Sequence, residues 1–536
     1  MGRHAPSSRA LLIAALVVII LGALIAGVVV FYRIAVVKAG ATTQPPAAAD
    51  SRDYSFRCVD GDSGRPLAGV RFSVRIEDWD EKETRTATSD SRGRFTVADV
   101  TAGATVVVTP RPPAGYEGFP LEASLTEAVA AGGDGAAGGG SSAGGTASVV
   151  ELPLYRSARQ WLSWGRTDGR TRVGPEIGLP SGRPLWVFSS KYNLEFPPSL
   201  AYGLAFFGSY RGFVYAVRQS DGELVWRHHP GQQRDASKFA NQVAVSSWTQ
   251  GSGEGRRRVA RVYYANLNGV VGALDAFTGE HVWRRVSGRG PGTDDRTLVF
   301  RSFESSPLVA GETVYVASRY HNVDSEAGLW ALDRRTGAVR WFCKLGTNDA
   351  SKIGSSPSFA DGRVFLASYD GTVFCIDAES GQIIWKRWLG GAFYSTPAVE
   401  GGRLYIGNKS NGYVYCLDAG DGSMLWDTFL GSSVYGSPAV WNGRVFVGAV
   451  SHFTALDAAG GEVIWRYPTK KRVLGSASVL DGVVYFSDLG HTYACDARTG
   501  KLVWEWEAGR YSPVTATRHL IVVCGRQRLY AFDPSH

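Results

Sequence analysis

One phrase recurs down this chain and decides what it can become. At 271–283 it reads VGALDAFTGEHVW: an apolar run, Leu-Asp, a turn closing on Thr-Gly, and a Trp four residues after the Gly. Gly-x-x-x-Trp returns at Gly222/Trp226, Gly279/Trp283, Gly337/Trp341, Gly381/Trp385, Gly422/Trp426, Gly461/Trp465 and Gly500/Trp504. A half-copy, Gly182/Trp186, precedes them, and an apolar run without a Trp, 529–533, ends the sequence. Self-similarity at roughly 40 residues marks a propeller or a solenoid, whose units bury their faces only against neighbours.

Each part of the phrase has a physical task. The runs before the Asp, such as VFCID at 373–377 and VYCLD at 414–418, suit strands buried between packed sheets. Asp275, Asp333, Asp377, Asp418, Asp457 and Asp496 stand four residues before the Gly, where a carboxylate can bond the backbone two residues on and start a turn. The Gly supplies the positive φ that ends such a hairpin loop. The Trp falls on the return strand, where a flat ring can cover the joint with the next unit. All three sets therefore read as structural. The orphan half at Trp186 and the missing half after 529–533 predict that 184–188 pairs with 529–533 and closes a ring, which removes two free edges.

The chain's 536 residues leave room for more than the repeats. A net charge of +8 with no long Lys/Arg run does not point to nucleic acid. Six scattered cysteines without Cys-x-x-Cys exclude the common zinc and dithiol motifs and read as free buried thiols. Residues 11–32 carry no charge, and a helix of that length reaches across a bilayer core. The expected order is a cytoplasmic tail at 1–10, a transmembrane helix at 11–32, a spacer at 33–53, a small β-sandwich at 54–156 and a propeller at 158–536. The sandwich holds a Gly-rich loop at 131–147. The localisation this implies is a single pass through the cytoplasmic membrane, with the bulk of the chain extracytoplasmic.

Two resemblances sharpen the reading. Asp60, the run Ser63-Gly64-Arg65-Pro66-Leu67-Ala68-Gly69-Val70, Thr88-Ser89-Asp90, Gly93 and Phe95 resemble the carboxypeptidase-regulatory-like family of small β-sandwich modules. The Leu-Asp-Ala-x-Thr-Gly-x-x-x-Trp units, with unit starts such as Ser306-Pro307, Ser356-Pro357, Thr396-Pro397 and Ser437-Pro438, resemble the PQQ-like propellers. That group includes the BamB-like assembly proteins and the quinoprotein alcohol dehydrogenases. The expected fold is all-β: an eight-bladed β-propeller preceded by a β-sandwich and one N-terminal transmembrane helix.

The dehydrogenase resemblance implies a calcium-bound quinone with acidic ligands at the centre. Three residues before each unit start, on the expected inner rim, stand Glu304, Gly354, Tyr394, Tyr435, Leu474 and Arg510. That set offers too few oxygens for calcium. The chain is therefore expected to be no enzyme, with no catalytic residue, metal or cofactor. Its expected role is a protein-interaction scaffold of the cell envelope, the alternatives being a quinoprotein oxidoreductase and an envelope-glycan binder. The Trp spacing lengthens to 57 from Trp226 to Trp283 and 58 from Trp283 to Trp341, and the added residues carry surplus positive charge. Arg256, Arg257, Arg258 and Arg261 are the densest part. With Glu304, Tyr394, Tyr435 and Arg510 they form the expected partner-binding set, facing an envelope protein, an acidic surface or an anionic polymer.

Overall fold

The computed structural model describes residues 51–534, apart from 62–63, 78–81, 102–103, 115, 120, 125–148, 157–159, 161, 164–165, 231–237, 240, 253–256, 287–301, 320–326, 347–351 and 510–513. Every regular element named among them is a strand. The stretch 11–32 lies outside the described residues. Among those described, no helix is long and apolar enough to cross a membrane. The expected single-pass localisation is corrected on that ground.

Eight four-stranded sheets follow one another along the chain. The first is built from Ser199–Ala201, Leu204–Gly208, Val214–Arg218 and Leu224–His228. The second to seventh span 244–286, 308–346, 358–388, 398–429, 439–468 and 478–506. The eighth joins Thr515–Thr517, Leu520–Cys524 and Arg528–Pro534 to Pro180–Ser189 from the start of the repeat region. There Leu529 pairs with Phe188, Tyr530 with Val187 and Ala531 with Trp186, the predicted junction. One core cluster joins Leu200 and Ala205 of the first sheet to Ala516 and Ile521 of the eighth and Leu480 of the seventh.

Within each sheet the antiparallel order fixes two ends. Turns joining first to second and third to fourth strands lie at one end. Loops joining second to third strands, and one sheet to the next, lie at the other. The turn end is built as the sequence predicts. The Asp496 carboxylate accepts the Arg498 and Thr499 N–H groups, and Asp457 accepts those of Ala459 and Gly460. Gly500 and Gly461 follow at φ 74° and 84°.

Two devices bind sheet to sheet. Seven of the repeat Trp residues reach over the turn of the next sheet. The Trp426 indole N–H donates to the Ala458 carbonyl, and its ring lies on Gly461, where a methyl would come within 2.6 Å. Trp186, Trp226, Trp283, Trp341, Trp385 and Trp465 do the same on the sheets that follow them. Nearer the centre, the hydroxyl at the start of a sheet, before Pro307, Pro357, Pro397, Pro438 and Ala477, accepts the N–H of its counterpart one sheet back. The series runs Gln242 to Ser306, Ser306 to Ser356, Ser356 to Thr396, Thr396 to Ser437 and Ser437 to Ser476, at 2.8–3.1 Å. The Ser/Thr-Pro starts are thus inter-sheet locks.

Residues 51–156 form two further four-stranded sheets around one core, with Phe95 stacked between Phe56 and Phe72. All six cysteines are buried thiols. Burial pushes the Cys58 and Cys375 thiols up to about 12.

Candidate functional site

At the loop end, inter-sheet loops meet the loops that follow second strands. Glu304, Tyr394 and Tyr435 come from the former, and Arg319, Tyr369 and Lys409 from the latter. Glu304 forms an ion pair with Arg319 and accepts the Tyr369 hydroxyl at 3.1 Å. Burial, and then the Glu304 carboxylate, raises the Tyr369 pKa. The Tyr369 and Tyr394 rings lie 4.3 Å apart, and Tyr394 and Tyr435 5.8 Å apart. The Lys409 ammonium sits 4.4 Å from the Tyr394 centroid and 5.4 Å from that of Tyr435. Arg319 lies 5.7 Å from the Tyr369 centroid. The result is a ladder of rings and cations across adjoining sheets, held by cation–π attraction.

The structure places Glu304, Tyr394 and Tyr435 at one end, linked through Tyr369, and adds Arg319 and Lys409. A signal for the additions exists in the sequence. Each follows a small polar residue at the end of a second strand: Ser318-Arg319, Ser368-Tyr369 and Asn408-Lys409. Arg510 lies outside the described residues.

Outward from this ladder the surface stays aromatic. Trp388 is 72% exposed and Phe429 55%, at matching positions of adjoining outer strands. Trp388 donates to the Asp370 carbonyl beside Tyr369, and Phe429 packs 5.2 Å from Tyr413.

The four arginines are placed differently. Arg256 lies outside the described residues, and Arg257 is exposed. Arg258 pairs at 2.6 Å with Glu117 of the small domain, and Ser247 donates to the same carboxylate at 2.8 Å. Arg261 pairs with Asp275. Phe119 of the small domain stacks edge-on against Tyr202 and Phe277, both at 4.8 Å. Arg258 thus joins a contact within the chain, at the turn end of the first two sheets. The sequence holds no local sign of this pairing, because Glu117 is remote in the chain.

The centre holds a segment that sequence reasoning missed. Innermost strands have one paired edge, so their N–H groups toward the axis need acceptors. Described residues between 162 and 172 supply them for the second and the fourth to seventh sheets. Carbonyls of Leu162, Asp168, Gly169, Thr171 and Arg172 accept from Val245, Phe359, Val399, Val440 and Val479. Arg170, fully buried, donates to the Pro357 and Pro307 carbonyls. Burial pushes its pKa down against the opposing pull of Asp168.

The dehydrogenase resemblance implies a calcium-bound quinone at this centre. Among the described residues no three His, Cys, Asp or Glu side chains gather as a ligand set. The inner strand edges of the second and of the fourth to seventh sheets are taken by the chain's own segment. The described residues do not fit that group.

Repeated four-stranded sheets with Trp-on-Gly joints define a PQQ-like β-propeller. A family model described as outer membrane protein assembly factor BamB matches residues 180–342, 331–426 and 410–536, and the chain belongs to that family. Residues 54–156 lie outside the match. The chain is similar to outer membrane protein assembly factor BamB of Yersinia pestis, 27% identical over 33% of this chain and 39% of that protein. It is also similar to a tetrathionate hydrolase of Acidithiobacillus ferrooxidans, 26% identical over 43% of this chain and 45% of that protein. The alignments span less than half the length of either relative. The quinohemoprotein alcohol dehydrogenase of Comamonas testosteroni shares the fold, with a TM-score of 0.57 at 14% identity, over 70% of this chain and 80% of that one. The expectation that the chain is no enzyme is corrected here, because relatives of its propeller carry enzyme names.

Proposed function

We propose that the chain is a protein-interaction propeller that binds other proteins of the cell envelope. In this reading the eight sheets are the blades of one closed ring, and residues 54–156 are a carboxypeptidase-regulatory-like β-sandwich held against its turn end. The observation that carries the reading is the loop end of the fourth to sixth sheets. There Tyr394, Trp388 and Phe429 stand exposed around the Lys409 ladder. Exposed aromatic side chains beside a cation are what interface centres are made of. The family's description as an assembly factor supports the same reading.

The test is site-specific photocrosslinking in intact cells. A benzoylphenylalanine at Tyr394 is expected to form adducts with one or a few discrete envelope proteins. The same probe at Glu379, exposed at the turn end, reports on the opposite surface. Absence of protein adducts from both positions would sink the proposal.

A further inference from the structure

The two ends of the propeller differ in charge as well as in build. Along the loop end, from the loop before the third sheet to the seventh sheet, Glu304, Asp370, Asp488 and Glu505 are already engaged, the last by Lys470, and Glu507 stands exposed after the seventh sheet. Glu304 is held by Arg319 and Tyr369. Asp370 accepts the Ser368 hydroxyl at 2.5 Å and the Thr372 N–H at 3.0 Å. Asp488 is fully buried and accepts the Tyr493 hydroxyl and the Gly490, His491 and Lys471 N–H groups. The cations are less engaged. Lys409 lies over rings rather than against a carboxylate, and Lys471 and Arg472 stand exposed on the loop between the sixth and seventh sheets. On the turns of the same sheets the sign reverses, with Glu379, Asp421 and Glu462 exposed.

This loop end is also aromatic. Trp388 and Phe429 lie toward its outer margin, and Tyr394 and Tyr435 toward its inner one, with Lys409 against the inner pair. The small domain does not compete for it, since its contacts through Glu117 and Phe119 fall at the turn end of the first two sheets. An occupant that complements the surface brings carboxylates for Lys409, Lys471 and Arg472. It also brings apolar side chains for the exposed rings.

We propose that the loop end of the fourth to seventh sheets binds an acidic segment of a partner protein that also carries apolar side chains. This rests on the protein-interaction reading and adds to it the partner's chemistry and the end it approaches. Carboxylates of the segment meet Lys409, Lys471 and Arg472, and its apolar residues lie on Tyr394, Trp388 and Phe429. The aromatic contacts supply dwell time, and the cations supply steering and discrimination.

The test uses the full chain and a short fluorescein-labelled peptide of alternating Glu and Phe, followed by fluorescence anisotropy. Binding is expected, weakening as salt is raised because exposed charges are screened. Lys409→Glu and Trp388→Ala should each weaken it by about tenfold or more. Lys409→Arg should hold most of the affinity. Lys501→Glu, at the turn end, should leave it unchanged. Thermal melts of each variant separate lost binding from lost folding. No binding by the wild type, or binding indifferent to Lys409→Glu in a folded variant, overturns the proposal. So does preference at this end for oligogalacturonate or phosphatidylglycerol vesicles, which assigns the surface to a glycan or a lipid. If adducts with envelope proteins form at Glu379 but not at Tyr394, and the peptide does not bind, the protein-interaction reading stands and this inference falls. If neither position yields adducts, the parent reading itself falls.

Discussion

Seven joints of this propeller are made alike, and the joint between the seventh and eighth sheets is not. In the seven, an indole lies on the turn glycine of the next sheet and donates to a carbonyl beside it, as Trp465 does to Gly500 and Ala497. The eighth sheet draws its outer strand, Pro180–Ser189, from the opposite end of the repeat region, so no continuous turn is available to receive a Trp. Trp504 instead meets Phe532 edge-on at 5.7 Å and stacks on Trp506. Among the described residues, nothing lies within 4 Å of where a side chain on Gly182 would begin. The difference teaches that the repeated phrase is a device for neighbours in sequence. The last joint depends on strand pairing between distant segments and on aromatic contacts particular to it.

The harshest way to break this comparison is to remove the eighth joint. Deleting residues 528–536 takes away the strand that pairs with both Leu520–Cys524 and Pro180–Ser189. The expected outcome is loss of the cooperative thermal transition, with aggregation on size exclusion. An unchanged melting curve would show that closure contributes nothing.

Single joints come next. Trp426→Ala empties a site only 8% exposed and strips the bond to Ala458, and should cost about 3–5 kcal/mol in urea unfolding. Trp504→Ala, at a half-buried ring with no glycine beneath it, should cost less. Equal losses would mean that the two kinds of joint are energetically the same.

A smaller effect is expected at the hydroxyl series. Ser356→Ala leaves the buried Ser306 N–H without its 2.9 Å partner, which should cost about 1–3 kcal/mol. Ser356→Thr should be close to neutral, because Thr396 performs the same task one sheet on. A Thr variant as weak as the Ala variant would refute the hydroxyl's role.

The smallest effect concerns the turns. The Thr499 hydroxyl and the Thr499 and Arg498 N–H groups hold the Asp496 carboxyl below its ordinary value, against a burial penalty. A depressed carboxyl contributes its full stabilisation above the unfolded pKa of about 3.9 and loses it as pH falls through the folded value. Asp496→Asn keeps an acceptor oxygen but does not titrate. Its unfolding free energy should therefore fall less than wild type's between pH 5 and pH 3, by an amount within about 0.5 kcal/mol, read from urea unfolding at each pH. Parallel acid profiles would remove the carboxylate charge from the account.

Much of this was legible because the repeat writes its contacts locally. The Asp-to-Gly turn and the Trp after it lie within nine residues, so their geometry is spelled in one phrase. The inner-rim positions Glu304, Tyr394 and Tyr435 could be aligned on the following Pro. Their companions Tyr369 and Lys409 arrive from a different loop, and only the antiparallel order of strands brings the two loop sets to one end. The central segment left no trace, since it bonds through backbone carbonyls that any residue could supply. Arg258 misled for the opposite reason: a run of arginines looks solvated until a distant Glu117 is folded against it.

The central segment also bears on how the molecule is made. Leu162 and Arg172 leave the ribosome before the strands whose N–H groups they will accept, and Val479 follows Arg172 by about 300 residues, on the order of half a minute at ordinary rates of synthesis. Through that interval the nascent repeats expose unpaired inner edges, and the strand at Pro180–Ser189 waits for a mate, Arg528–Pro534, made after all seven other sheets. Such a chain has high contact order and a long-lived sticky intermediate. Its yield in the cell is then governed less by the stability of the finished ring than by whatever shields the unfinished one.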